Sequence, residues 1–209
     1  MLNRARTFIA ATLVAAIALP AIAAAEPVFS LRVKRDIRGT DIGIDMISAD
    51  TPSSAEIQRR LENSPRFKIP GGRVTVKEFK RRPELRRLAP SIDIQSINFA
   101  FASAEVPYSQ YDKVENIAIA LQGMLARRPH AKVLIEGHTD AVGSFQTNQR
   151  LSERRAASLK WTLVNEFGIP ARALETVGYG EEFLVVPTEY ESWQNRRVTL
   201  RRFDDFVRN

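Results

Sequence analysis

The feature that most constrains this chain is an alternation of two hydrophobic periods between Ile92 and Leu200. Ile92, Ile94, Ile97 and Phe99 suit an extended strand. Val114, Ile117, Ala118, Leu121 and Leu125 then recur at helical spacing between Tyr108 and Arg127, and Pro129 stops that helix. Lys132 to Glu136 contains Val133, Leu134 and Ile135, a buried strand. A polar loop from Gly137 to Ser144 leads into a long helix that ends near Phe167, with Gly168 as its stop. Leu174 to Val177 and Arg197 to Leu200 are two further strands. Strands alternating with helices predict an α/β fold (an α+β sandwich) of βαβαββ type, with helices packed on a mixed sheet.

The N-terminus bears on the compartment. Arg4 and Arg6 precede an uncharged apolar run from Phe8 to Leu19, followed by Pro20 and the small residues Ala23, Ala24 and Ala25. This order predicts a secretory signal peptide over residues 1–25. An uncleaved anchor is the alternative, but the run falls short of the roughly 20 apolar residues that a spanning helix needs. Export to the periplasm follows as the expectation, and with it no nucleic-acid partner. The chain has no Cys, which excludes disulfides, thiolate metal sites, a cysteine nucleophile and a lipid-modified Cys. Only His130 and His138 are available as imidazole ligands, so neither a metal nor another cofactor is expected.

Charge is distributed unevenly. The net charge of +7 matches that of residues 31–90 alone, whereas residues 91–209 carry a net −1. A shift of this kind predicts a boundary near Pro90, giving a basic, partly ordered extension (26–90), a main domain (91–204) and a short tail (205–209). Within the extension, Ile42, Ile44 and Met46 alternate as a strand does. Ser53 or Ser54 can cap a helix from Ala55 to Glu62, and Val74, Val76 and Phe79 suggest another short strand. The basic run through Lys77, Lys80, Arg81, Arg82, Arg86 and Arg87 suits an anionic membrane surface or an envelope protein as partner.

The second helix carries the most informative polar residues. On a helical wheel Ser152, Ala156, Leu159, Leu163 and Phe167 form the buried stripe, and Arg150 and Arg154 face solvent. Asn148 and Arg155 lie at the edge of the stripe, two turns apart on one face. A guanidinium at such an edge needs an anion, because an unpaired buried charge is costly. Asp140, just before the helix, can be its internal partner. Alternatively the two flank one zwitterionic ligand, Asp140 accepting from an ammonium and Arg155 gripping a carboxylate.

Further motifs favour the second arrangement. Ile135-Glu136-Gly137-His138-Thr139-Asp140, Gly143-Ser144, Asn148, Leu151-Ser152, Arg155-Ala156, Gly178-Tyr179-Gly180-Glu181 and Asn195-Arg196-Arg197-Val198 together resemble the peptidoglycan-binding domain at the C-terminus of outer-membrane protein A. MotB and the peptidoglycan-associated lipoprotein share that domain. Phe99, Ser103 and Ala104 match its opening strand and turn, and the resemblance spans roughly Ile92 to Arg202. It implies noncovalent, non-catalytic binding of cell-wall peptidoglycan through meso-diaminopimelate of the stem peptide. The ligand-gripping pair falls on Asp140 and Arg155, with Asn148 shaping the pocket and Arg196 and Thr139 as further contacts.

Other residues read as structural. His138 is expected to brace the loop, Gly178 and Gly180 to form turns, and Trp161 and Trp193 to pack. Phe183 to Thr188 lies in a variable insertion. A cell-wall hydrolase is the less favoured alternative, since no paired acid and base or activated nucleophile is visible.

Overall fold

The computed structural model describes residues 30–35 and 41–47 by their backbone, and residues 51–65, 72–95, 97 and 104–208 with their side chains. The signal segment, Phe99 and Ser103 lie outside the described residues. The chain divides into two compact units, residues 1–48 and residues 49–209. In the first, β1 (Ser30–Arg35) pairs antiparallel with β2 (Asp41–Ile47), with Val33 opposite Ile44 and a register shift between Lys34 and Arg35. The alternation of Ile42, Ile44 and Met46 does form a strand.

The second unit runs through α1 (Ser54–Glu62), α2 (Val76–Arg81), α3 (Pro83–Leu88), β3 (Ser91–Ile94), α4 (Tyr111–Arg127), β4 (Val133–Gly137), α5 (Phe145–Asn165), β5 (Leu174–Gly178) and β6 (Val198–Arg202). The strands form one mixed sheet in the order β3-β6-β4-β5. Only β4 and β5 are parallel, as expected where α5 crosses over between them. This is the expected βαβαββ arrangement from β3 onward. Of the expected first strand, Ile92 and Ile94 lie in β3, and Ile97 is buried beyond it.

All five residues of β4 are buried, so both faces of the sheet must be covered. Val133 and Ile135 point into a core with Val114, Ile117 and Leu121 of α4 and Ala156, Leu159 and Leu163 of α5. Leu134, on the opposite face, meets Phe79 of α2, Leu85 of α3, and Phe203 and Phe206 beyond β6. Phe79 stacks on Phe203 with ring centroids 5.3 Å apart. Each such side chain taken fully from water contributes about 1.5–3 kcal/mol.

The change of charge at Pro90 therefore marks no break in packing. Ile57 and Leu61, one turn apart on α1, enter the same core as α4 and α5. The C-terminal carbonyls of α1 are met by Arg202 of β6, which donates from Nε to Leu61 O at 2.7 Å and from Nη2 to Asn63 O at 2.9 Å. Asp204 and Asp205 pair with the same buried guanidinium. The stretch 205–209, expected as a tail, buries Phe206 and Val207 completely.

The sequence pattern misassigns one element. Val74, Val76 and Phe79 do not form a strand: Val76 begins α2, and only Val74 makes a bridge, to Val207. The reason lies in a capping box that the apolar spacing obscured. Thr75 Oγ1 accepts from Glu78 N at 3.2 Å, and the Glu78 carboxylate accepts from Thr75 N at 2.8 Å. The helix of α1 starts as anticipated, with Ser53 Oγ accepting from Glu56 N.

Because α2 supplies one wall of the second core, Phe79→Ala is expected to destabilise the whole domain by about 3–5 kcal/mol. Urea denaturation followed by circular dichroism measures this; a loss near zero would make α2 peripheral.

Candidate functional site

Asp140 is delivered to the N-terminal end of α5 by a close approach of backbones. A Cβ on Gly137 would collide with the carbonyl of Ser152, and one on Gly178 with the backbone of Glu153. Glycine at both strand ends thus lets β4 and β5 abut α5. Ser152 uses that proximity, its hydroxyl accepting from Gly180 N at 2.8 Å. Gly180, at φ +50°, turns the chain so that its carbonyl accepts from Thr139 N at 2.9 Å.

Asn148 braces the loop from inside. It is 4% exposed, and its Nδ2 lies 3.3 Å from Asp140 O, 3.2 Å from Val142 O and 2.5 Å from Glu181 Oε2. Ser144 caps α5 by accepting from Thr147 N. The wheel placed the body of this helix correctly: Ser152, Ala156, Leu159 and Leu163 are buried, Arg150 and Arg154 are exposed, and Arg155 is half-buried, whereas Phe167, expected in the buried stripe, lies past the helix end and is only partly buried.

Four of the five anticipated residues share one electrostatic neighbourhood. Arg196 donates from Nη1 to Asp140 Oδ2 at 2.8 Å. Burial pushes the Arg155 guanidinium below its ordinary value; the positive charge of Arg196 pushes it further and Asp140 opposes both. Arg196 also loses solvation, but hydrogen bonds to Asp140 and Glu191 outweigh this and raise it. Asn148 holds the loop from which Asp140 projects. Thr139 stands apart: its hydroxyl is buried and makes no hydrogen bond among the described residues, so its visible role is the backbone bond to Gly180.

Residues to which the sequence reading gave no part in the site underpin it. Glu136, fully buried in β4, is held by two arginines. Arg86 of α3 donates from Nε and Nη2 at 3.0 and 2.9 Å, and Arg201 of β6 from Nε and Nη2 at 2.7 and 3.1 Å. Burial alone would raise the Glu136 carboxyl; Arg201 and Arg86 override it and hold it far below the ordinary value of 4.5. The Arg86 guanidinium also lies over the Tyr179 ring at 3.8 Å and the Phe183 ring at 4.3 Å. Tyr179 in turn donates to Lys80 O at 2.6 Å. A Glu inside an apolar strand was the available signal, since such a residue requires cationic partners.

His138 is buried and stacks against Tyr179 at 5.8 Å. Its Nε2 is 3.9 Å from Glu136 Oε2, too long for a hydrogen bond, and neither ring nitrogen has a hydrogen-bond partner among the described residues. Burial pushes its value down, so the imidazole is neutral at neutral pH and braces the loop by packing. The two tryptophans are not core residues: Trp161 is 58% and Trp193 36% exposed. Trp161 lies on the same side of α5 as Arg150 and Arg154.

The site and fold can be set beside known proteins. The model of the OmpA family matches residues 98–197. The chain is 38% identical over 85 residues to outer membrane porin F of Pseudomonas aeruginosa, which covers 41% of this chain and 23% of the porin. It is 38% identical over 105 residues to the peptidoglycan-associated lipoprotein of Pseudomonas putida, covering 46% of this chain and 61% of the lipoprotein. The chain thus spans less than two thirds of these curated relatives. Among solved structures, the peptidoglycan-associated lipoprotein from Burkholderia pseudomallei is similar at 30% identity and a TM-score of 0.44, covering 51% of this chain and 87% of that one.

The sign of the pH dependence follows from Glu136. Its folded-state value is depressed, so its contribution to stability is complete above about pH 4.5 and is lost as pH falls. Arg86→Ala, which leaves the carboxylate half-paired, is expected to cost about 3–5 kcal/mol at pH 7. Glu136→Gln is expected to flatten the acid limb of the melting-temperature profile. Thermal melts from pH 7 to pH 2 measure both; an unchanged acid limb would remove Glu136 from the account.

Proposed function

We propose that this chain, whose residues 98–197 belong to the OmpA family, binds cell-wall peptidoglycan noncovalently through meso-diaminopimelate of the stem peptide and performs no catalysis. The observation that carries the reading is that Asp140, just before α5, pairs with Arg196 and that both are felt electrostatically by Arg155 on that helix. Asp140 accepts from the free ammonium of the ligand. Arg155, half-desolvated, grips the adjacent carboxylate with its planar fork, where a charge-assisted hydrogen bond is strong. Asn148 positions the Asp140 loop, and Arg196 adds a second cation on the carboxylate side. Thr139 acts through the loop backbone.

The printed name of the Pseudomonas putida relative, a peptidoglycan-associated lipoprotein, supports the same ligand class. The protein would work in the periplasm, holding or organising the envelope by gripping the wall. Asp140→Ala and Arg155→Ala are each expected to abolish co-sedimentation with purified diaminopimelate-type sacculi while leaving the circular dichroism spectrum unchanged. If both variants sediment like wild type, the assignment is wrong.

A second partner concerns the basic helices. Lys80, Arg82 and Arg86 are engaged with Glu175, Glu84 and Glu136, whereas Lys77, Arg81 and Arg87 are exposed. We infer that these three draw the domain to an anionic membrane surface, each contributing about 1 kcal/mol near the lipid. The triple change of Lys77, Arg81 and Arg87 to Glu is expected to abolish salt-sensitive sedimentation with phosphatidylglycerol vesicles. Equal sedimentation at low and high salt would rule the attraction out. Truncation at Ser91 is no substitute, because it would strip Ile57, Leu61, Phe79 and Leu85 from the two cores.

A further inference from the structure

The surroundings of Asp140 contain a carboxylate that the peptidoglycan reading does not use. Glu191, on the segment between β5 and β6, places Oε1 2.6 Å from Arg196 Nη1. That same nitrogen lies 2.8 Å from Asp140 Oδ2, so one guanidinium NH2 group joins two carboxylates. The two differ in setting: the Asp140 side chain is 12% exposed and the Glu191 side chain 74%.

The frame that presents Glu191 is built from buried polar contacts. Asn195, fully buried, accepts through Oδ1 from Val185 N at 2.8 Å and Val186 N at 2.9 Å, and donates through Nδ2 to Val186 O at 2.8 Å. A backbone turn, Arg196 N to Trp193 O at 3.2 Å, closes the segment beside the site. Glu191 is thus brought to Arg196 by an ordered segment, while its own side chain remains mostly in water.

We propose that Glu191 is an internal competitor for the ligand carboxylate, occupying Arg196 in the free protein and giving way when a zwitterionic ligand binds. The proposal rests on the diaminopimelate reading above and adds to it a residue that tunes affinity. Asp140 is the inner anion and stays to meet the ligand ammonium. Glu191 is the outer anion, held by a solvent-exposed ion pair weak enough to be exchanged. A ligand with a free carboxylate beside its ammonium can replace it, because the exchange leaves Arg196 paired throughout. A ligand whose carboxylate is amidated cannot, since an amide oxygen is a poorer partner for the guanidinium than the glutamate it would displace.

Isothermal titration of the full chain with meso-diaminopimelate tests this, using wild type, Glu191→Gln and Glu189→Gln. Glu189 is exposed two residues away and serves to remove the same net charge. Glu191→Gln is expected to bind about two- to fivefold tighter than wild type, the range an exposed ion pair supports, with Glu189→Gln unchanged. Equal or weaker binding by Glu191→Gln, with wild type still binding, overturns the competitor role and leaves the site assignment intact. Equal tightening by both variants also overturns it, in favour of bulk charge. Absence of binding by wild type and Glu191→Gln alike overturns the diaminopimelate reading and this proposal together.

Discussion

A carboxylate buried in the central strand determines how the rest of this domain is arranged. Glu136 sits on the face of β4 that also carries Leu134, and water does not reach it. An ion in that position is tolerable only if its oxygens are fully engaged, which Arg86 and Arg201 accomplish with four hydrogen bonds. One of these arginines comes from the neighbouring strand and the other from α3. The pairing therefore ties a helix from the basic segment to the sheet, and the aromatic rings of Tyr179 and Phe183 close over the Arg86 guanidinium. The same interaction supports the site, since Tyr179 is followed by Gly180, whose carbonyl holds Thr139 next to Asp140.

The site itself combines a rigid base with a charged rim. Its base is made of close backbone contacts, with glycines at the ends of β4 and β5 and the buried Asn148 beneath the loop. The rim carries Asp140, Arg155, Arg196 and Glu191, in decreasing protection from water on the acidic side. Partial burial favours the proposed recognition, because a guanidinium that has already lost hydration would give up less on meeting a ligand carboxylate. Net charge plays little part here, because the domain from Ser91 onward is nearly neutral. The excess basic charge lies in the segment before Ser91.

The legibility of these features in the sequence varied with how local their causes are. The elements β4, α5 and β6 and the buried stripe of α5 were visible because period and stop residues act within a few residues of chain. Asp140 and Arg155 emerged from the wheel and the motif together. The helix at Val76 was obscured, because three apolar residues suit either a strand or one helical face and only the Thr75–Glu78 cap distinguishes them. Trp161 was expected to pack, although its place on the wheel is the solvent side. Glu191 was not visible at all, since nothing local links it to Arg196 and Asp140.

By itself the sequence determined the order of strands and helices from Ile92 onward and the resemblance to the OmpA family, and it singled out Asp140 and Arg155 as candidate ligand contacts. These depend on hydrophobic period, turn residues and a dense motif, all of which are written in contiguous stretches. Only the tertiary structure decided that the helices α1, α2 and α3 of the basic segment belong to the folded domain, that residues 205–208 close its second core, that Glu136 is held by arginines distant in sequence, and that Glu191 meets the arginine that holds Asp140. The physical reason is that a sheet with two buried faces needs cover from any apolar helix that can reach it. Charge composition marks where solvent is met and carries no information about which face a helix turns inward.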